Sequence, residues 1–361
     1  MAAATFLQKR RIAAANTLST QALLPVSILK PLRGTDPEMY ESFRSHCLQD
    51  YPEYEIVFGV NDPADSAIAF VQRLEKEFPD RAIKLVICTE RRGANTKVST
   101  LAQMLPKANY PLIVVNDSDI RIEPDYLRAV LASLGDPDVG LVTCLYRGVP
   151  HSTLGSHLES LGISTDFCPG VLAAHQLEGG IRFGLGSTLA FRKKDLQEIG
   201  GFESFADYLA DDYQLGSRIA ALGREVRLST VVVETFLPPY SLREFVDHQL
   251  RWSRAIRDSR PWGYLGLIFT FGIPWALLTV VTARWTAAVW ALFALTVGAR
   301  LLMATVIGGK VLEDRQVGRW LWLVPLRDLI AAILWMVSLF GRTIVWRGKK
   351  FRLKSGKLAA P

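Results

Sequence analysis

The chain has 361 residues, 49% of them apolar, with 42 Lys and Arg against 35 Asp and Glu, a net charge of +7. That length accommodates one or two domains with a sizeable core rather than three. The location of the charge argues against nucleic acid as a partner: residues 341–361 hold Arg342, Arg347, Lys349, Lys350, Arg352, Lys354 and Lys357 and no acid, directly after an apolar run. A basic cluster there is retained on the cytoplasmic side and drawn to anionic lipid.

Residues 1–24 place Lys9, Arg10 and Arg11 before Ile12 and three alanines, an apolar run too short for a signal-peptide core, so they read as a flexible or amphipathic lead-in. Residues 25–260 alternate strand and helix patterns. Val26–Leu29 is a short strand stopping at Lys30 and Pro31, and 54–60 is a second, ending in Asn61, Asp62 and Pro63. A helix follows over 67–78, with Ile68, Val71, Leu74 and Phe78 at helical spacing. Residues 83–87 (strand), 97–105 (helix) and 112–115 (strand) continue the alternation, which implies an α/β domain with a mostly parallel sheet. Such sheets bind ligands at the carboxyl ends of their strands, and three of those ends carry Lys30, Asp62 and Asp117. A nucleotide fits there. Cys47, Cys88, Cys144 and Cys168 are widely spaced without a C-x-x-C pair, which supplies neither a disulfide framework nor a zinc site.

Three apolar stretches follow, about 264–282, 285–309 and 320–345, each close to the ~20 residues that span a bilayer as a helix. The third contains Arg327 and Asp328, which must pair, face protein or lie at the interface. A cytoplasmic domain and a cytoplasmic basic tail require an even number of crossings, so one stretch is expected to re-enter or lie flat, and the Arg327–Asp328 stretch is the candidate. The expected organisation is a lead-in (1–24), a catalytic domain ending in an interfacial helix (25–260), a membrane domain of two or three helices (261–346) and a basic cytoplasmic tail (347–361).

The chemistry is carried by carboxylates. The strand 112–115 runs into Asn116, Asp117, Ser118 and Asp119. Two carboxylates one residue apart, where the chain leaves the sheet, suit a divalent cation that also takes diphosphate oxygens; a turn capped by Asp is the bland alternative. Asp62 suits a nucleobase or ribose, although an Asn-Asp-Pro turn accounts for it equally. Asp211 and Asp212 open a helix with Leu215 and Ile219 on its buried face. One aspartate can cap it, and the other is then available as a base toward an acceptor hydroxyl, its pKa raised by burial or by its neighbour. His248, Arg251, Trp252, Arg254 and Arg257 lie on a helix just before the membrane part. Arg251 can neutralise a departing diphosphate, Trp252 can close over an acceptor, and an interfacial helix with cations toward headgroups is the plain alternative. The glycine-rich run 179–187 reads as a close-approach loop.

In this order, Lys30-Pro31, Gln49–Pro52, Asn61-Asp62, Asn95–Lys97, Asp117–Asp119, Phe191–Leu196, Gly200–Phe202, Ala210–Tyr213 and His248, Arg251 and Trp252 resemble the ceramide glucosyltransferase family, glycosyltransferase family 21, and within it the bacterial hopanoid-lipid branch. The similarity covers about 25 to 355. It implies a GT-A fold, a UDP-sugar donor, Mg or Mn, and inversion at the anomeric carbon. It assigns donor binding to Asp62 and Asp117 and the base to Asp212, with Lys30 and Lys97 as further donor-binding candidates and Asp117 and Asp119 as the metal pair. Arg251 and Trp252 close the site, with Asp211 and His248 in support. His248 departs from the pattern, where Gln or Arg is usual. The implied activity is a membrane-bound, multi-pass hexosyltransferase moving glucose or N-acetylglucosamine to a lipid hydroxyl of ceramide or a hopanoid polyol, with its catalytic domain on the cytoplasmic side. A processive polysaccharide synthase shares this logic but needs more membrane helices; a non-catalytic nucleotide-sugar-binding membrane protein is the alternative from another class.

Overall fold

The computed structural model describes residues 1–15, 23–283, 286–346 and 349–359. The chain divides into two compact units, one of residues 1–147 and 171–236, the other of 148–170 and 237–361.

The first unit is built on an eight-stranded sheet. Its strands are β1 (Val26–Leu32), β2 (Tyr54–Val60), β3 (Ala82–Ile87), β4 (Leu112–Val115), β5 (Ile120–Arg121), β6 (Val139–Val149), β7 (Leu189–Arg192) and β8 (Glu225–Phe236), in the spatial order β3-β2-β1-β4-β7-β6-β8-β5. The strands β3, β2, β1 and β4 are parallel neighbours, and β7 then pairs antiparallel with both β4 and β6. The sheet is therefore mixed, parallel over the half that the strand–helix alternation foretold. β2 and β4 are buried along their whole length, as expected for strands covered on both faces. β1 does not stop at Lys30-Pro31 but runs on to Leu32. A proline is tolerated there because pairing with β4 has already ended at Leu29.

Five helices matter below: α1 (Thr96–Met104), α2 (Leu154–Gly162), α3 (Asp211–Ala221), α4 (Leu242–Ser259) and α5 (Val324–Leu339). In the first unit, α1 is capped by the Asn95 side chain, which accepts from the N–H groups of Lys97 and Val98 at 3.0 and 3.2 Å. It lays Val98, Leu101 and Ala102 into a core shared with Leu29, Val57, Ile113, Val115 and Phe191. Leu215 and Ile219 of α3 join that core, as their spacing predicted. The lead-in forms the helix Ala2–Ala15, with Phe6 buried. All four cysteines are free and buried.

In the second unit, α4 opens with a capping box between Ser241 and Glu244. Two helical runs of 25 residues, Ala287–Val311 and Arg315–Leu339, are long and apolar enough to cross a membrane, and Pro261–Thr270 with Gly272–Thr282 forms a third only as a pair bent by 52°. The Arg327–Asp328 stretch, the candidate for re-entering or lying flat, falls in one of the two regular helical runs. Both side chains are buried, and Arg300 donates to both Asp328 oxygens at 2.6 and 2.7 Å, so pairing rather than exposure accommodates the charge. The break falls instead in the first stretch. The basic C-terminus is also not an extended tail, since β9 (Thr343–Trp346), β10 (Lys349–Lys354) and β11 (Lys357–Ala359) form an antiparallel sheet. Ile344, Leu353 and Leu358 point inward, and Lys349, Lys350, Arg352, Lys354 and Lys357 are exposed, the alternation that a half-buried sheet requires. Arg347 lies outside the described residues.

Gly216 gives a test of how tightly α3 is seated. A Cβ there would strike the backbone of Phe183 and Gly184, so Gly216→Ala is expected to cost about 1–3 kcal/mol, seen as a lower melting temperature of the detergent-solubilised chain.

Candidate active site

The carboxyl ends of β1, β2 and β4 lie side by side through their parallel register. At the end of β4, the Asp117 carboxylate meets Lys97 of α1, whose Nζ is 2.7 Å from Asp117 Oδ1 and 3.1 Å from Asp211 Oδ2. Burial alone would lower the Lys97 ammonium, but Asp117 and Asp211 outweigh it and raise it above its ordinary value. Lys97 is therefore a fixed cation joining the strand that carries Asp117 to the helix that carries Asp211.

Asp212 stands beside this pair. The side chains of Asp117 and Asp212 converge on Gly186, where a Cβ would lie 3.3 Å from Asp117 Oδ2 and 3.5 Å from Asp212 Oδ2. The glycine-rich run does make a close approach, and it does so here. Burial, then Asp211, push the Asp212 carboxyl up to about 6, with Lys97 opposing. Neither aspartate caps α3 as expected. Ala210 is the cap residue, Asp212 Oδ1 accepts from the neighbouring Tyr213 N–H at 2.7 Å, and Asp211 is engaged by Lys97.

Asp119 Oδ2 accepts from the Thr235 hydroxyl at 2.6 Å. Burial and the nearby Asp117 charge push its carboxyl up to about 6. Among the described residues no cluster of three or more His, Cys, Asp or Glu side chains forms a cation cage. What Asp117 and Asp119 offer is a pair of hard oxygen donors, which suits an ion whose remaining ligands are phosphate and water.

Lys30, expected to touch a donor, is completely buried. Its Nζ donates to the backbone carbonyl of Asp117 at 2.9 Å and lies 3.3 Å from His46 Nε2, and burial lowers its pKa to about 7 against the pull of Asp119 and Asp117. It therefore holds the Asp117 main chain from below. Asp62 is exposed beyond β2 and closes a turn by accepting from the Ala64 N–H at 2.8 Å.

Sequence reasoning missed three supports of the site. Asn116 is buried and donates to Ser187 O at 2.7 Å and to the Tyr126 hydroxyl at 3.0 Å, tying the end of β4 to the glycine loop. Ser118 donates to Asp36 at 2.5 Å. Thr235 reaches Asp119 from β8. Asn116 and Ser118, sitting in the Asp117 segment itself, carried a local signal, and Thr235 did not.

His248, Arg251 and Trp252 belong to the second unit, on α4. The His248 ring lies 5.1 Å from Trp252 and 5.4 Å from Tyr240, and Trp252 packs on Phe167 at 5.7 Å. Arg254 and Arg257, which the plain alternative turns toward headgroups, bind backbone carbonyls: Arg254 donates to Thr343 O at 2.6 Å, and Arg257 to Gly341 O at 3.0 Å and to Ser338 O. A pocket of about 520 Å³ in this unit, lined by His151, His157, Arg319 and Trp320 among others, holds none of the expected site residues.

The family model of glycosyl transferase family 21 matches residues 1–359. The chain belongs to glycosyltransferase family 21. Ceramide glucosyltransferase 3 of Caenorhabditis elegans is 27% identical over 357 residues, covering 93% of this chain and 74% of the relative. Ceramide glucosyltransferase 1 of the same organism is 25% identical over 351 residues, covering 92% and 72%. Among solved structures, the mannosyltransferase PcManGT from Pyrobaculum calidifontis, in complex with GDP-Man and Mn²⁺, shares the fold at a TM-score of 0.53 and 21% identity, covering 92% of each chain. The first unit of this family 21 member is a GT-A domain, and the C-terminal apolar helices are those described above.

Gly186 offers the direct test of this geometry. Gly186→Ala puts a methyl into the space that the Asp117 and Asp212 carboxylates both face. Sugar transfer is expected to fall by about tenfold or more, with the melting temperature kept.

Proposed function

We propose that this chain is an inverting hexosyltransferase that moves glucose or N-acetylglucosamine from a UDP-sugar to a hydroxyl of a membrane lipid, ceramide or a hopanoid polyol, at the cytoplasmic face. The observation that carries the reading is the convergence of Asp117 and Asp212 on Gly186 beside the Lys97 ion pair, in a chain matched along its length by the family 21 model.

Asp212 is the base. A carboxylate whose pKa lies near 6 is ionised at neutral pH and still basic enough to take a proton in the transition state. As it takes the acceptor hydroxyl proton, the acceptor oxygen bonds to the anomeric carbon while the bond from that carbon to the diphosphate oxygen breaks, and UDP leaves. One displacement inverts the centre. Lys97 keeps Asp117 and Asp211 in place during that step, and Lys30 fixes the main chain of Asp117. Asp62 is assigned to the nucleoside, and Arg251 and Trp252 to the diphosphate and the acceptor. Mg or Mn, held by Asp117 and Asp119 and completed by diphosphate oxygens and water, would supply charge neutralisation of the leaving group. Asp211 and His248 act through their neighbours.

The test is transfer of labelled sugar from UDP-glucose and from UDP-N-acetylglucosamine, in membranes expressing the chain, to ceramide or to a hopanoid polyol. Labelled lipid that disappears with EDTA and returns with Mg or Mn is the expected result. Label in a high-mass polymer would indicate a processive synthase, and UDP binding without transfer a sensor. Asp212→Asn is expected to lower turnover by about 10²–10⁴-fold with UDP binding retained.

The pH dependence follows from the sign of the shift. The active form of Asp212 is the carboxylate, so turnover holds above about pH 6 and falls below it. Because Lys97 holds that carboxyl down, Lys97→Met should move the acid limb of the pH–rate profile to higher pH. An unchanged limb would sink the assignment of Asp212.

A further inference from the structure

Glu159, on α2, is fully buried within the second unit. Its Oε2 accepts from Gln249 Nε2 at 2.9 Å. Its Oε1 stands 3.1 Å from His248 Nδ1, and neither of those two atoms has another hydrogen-bond partner among the described residues. The far end of Gln249 is fixed as well, because its Oε1 accepts from Arg327 Nη2 at 2.7 Å. Arg327, 2% exposed on a candidate membrane span, also donates from Nε to Leu158 O at 3.2 Å. It passes so close to α2 that a Cβ on Gly162 would clash with its guanidinium. Burial would raise the Glu159 carboxyl, but His248 and Arg327 outweigh it and hold it below its ordinary range. An anion and a cation are thus buried together, with Gln249 between them.

Stability alone gives little reason for such a network, since apolar residues of like volume commonly replace a buried ion pair without loss. What the network does have is direction. Every polar end of Gln249 is used, and His248, one residue away on α4, is pressed between Glu159, Tyr240 and Trp252.

We propose that Glu159 is a positioning residue for sugar transfer: anchored through Gln249 to Arg327, it fixes the His248 ring and thereby the orientation of Trp252 on α4. The proposal rests on the reading that Arg251 and Trp252 serve the reaction.

Glu159→Gln alone leaves Arg327 as an unpaired buried cation and can fail to fold, so the decisive variant is the charge-neutral pair Glu159→Gln with Arg327→Gln, set beside His248→Asn and the combination of all three. The neutral pair is expected to keep a melting temperature near wild type and a KM for the UDP-sugar within about twofold, while kcat falls about tenfold or more. Adding His248→Asn should lower kcat little further, because both changes act through one ring. Recovery of wild-type kcat in the neutral pair would reduce Glu159 to a counter-charge and overturn the proposal, as would losses that multiply when His248→Asn is added. Wild-type transfer in the same membranes tests the underlying reaction separately, so a failure there is distinguishable from a failure here.

Discussion

The ion pairs of Lys97 hold together a site that would otherwise repel itself. Asp117, Asp211 and Asp212 are brought close by the fold, with Asp119 two residues from Asp117, and unit charges ~4 Å apart near a protein surface repel by about 4 kcal/mol. Lys97 relieves this by touching Asp117 and Asp211 directly. Burial first, and the neighbouring carboxylates second, push Asp119 and Asp212 up to about 6. Burial and carboxylate proximity together leave these two groups easier to protonate than free aspartates.

The rest of the first unit serves this arrangement. Asn95 caps α1 and so sets where Lys97 emerges. Lys30 and Asn116, both buried, fix the main chain at Asp117 and the glycine loop opposite it. Buried polar groups with partners are rigid, because losing a partner costs the full desolvation of the group left behind. The second unit uses the same device for a different element: Glu159, Gln249 and Arg327 fix one face of α4, while Arg254 and Arg257 bind carbonyls of residues 338–343 along the same helix.

Much of this was legible in the residues. The helix 67–78 and the strands 54–60 and 112–115 emerge close to their expected bounds, because strongly apolar runs bounded by Asn, Asp and Pro leave little choice. The ordered motifs pointed to family 21, which the family model bears out. Local pattern failed where pairing across the chain decides. β1 passes through Lys30-Pro31 because its partner strand ends early. The basic C-terminus forms a sheet in which Leu353 pairs with Leu358 and Ile344 with Phe351. Arg327 stays in a regular helix where Gln249 Oε1 and Leu158 O, far off in sequence, accept from its Nη2 and Nε.

The sequence by itself determined the fold class and the family, since those depend on residue type, short-range spacing and motif order. The tertiary structure alone decided the roles. It turned Lys30 from a ligand-binding candidate into a buried prop, put Gly186 between two carboxylates, and gave His248 a partner in Glu159, 89 residues earlier. Burial and charge proximity set those roles, and both are properties of the folded chain that no local stretch of residues encodes.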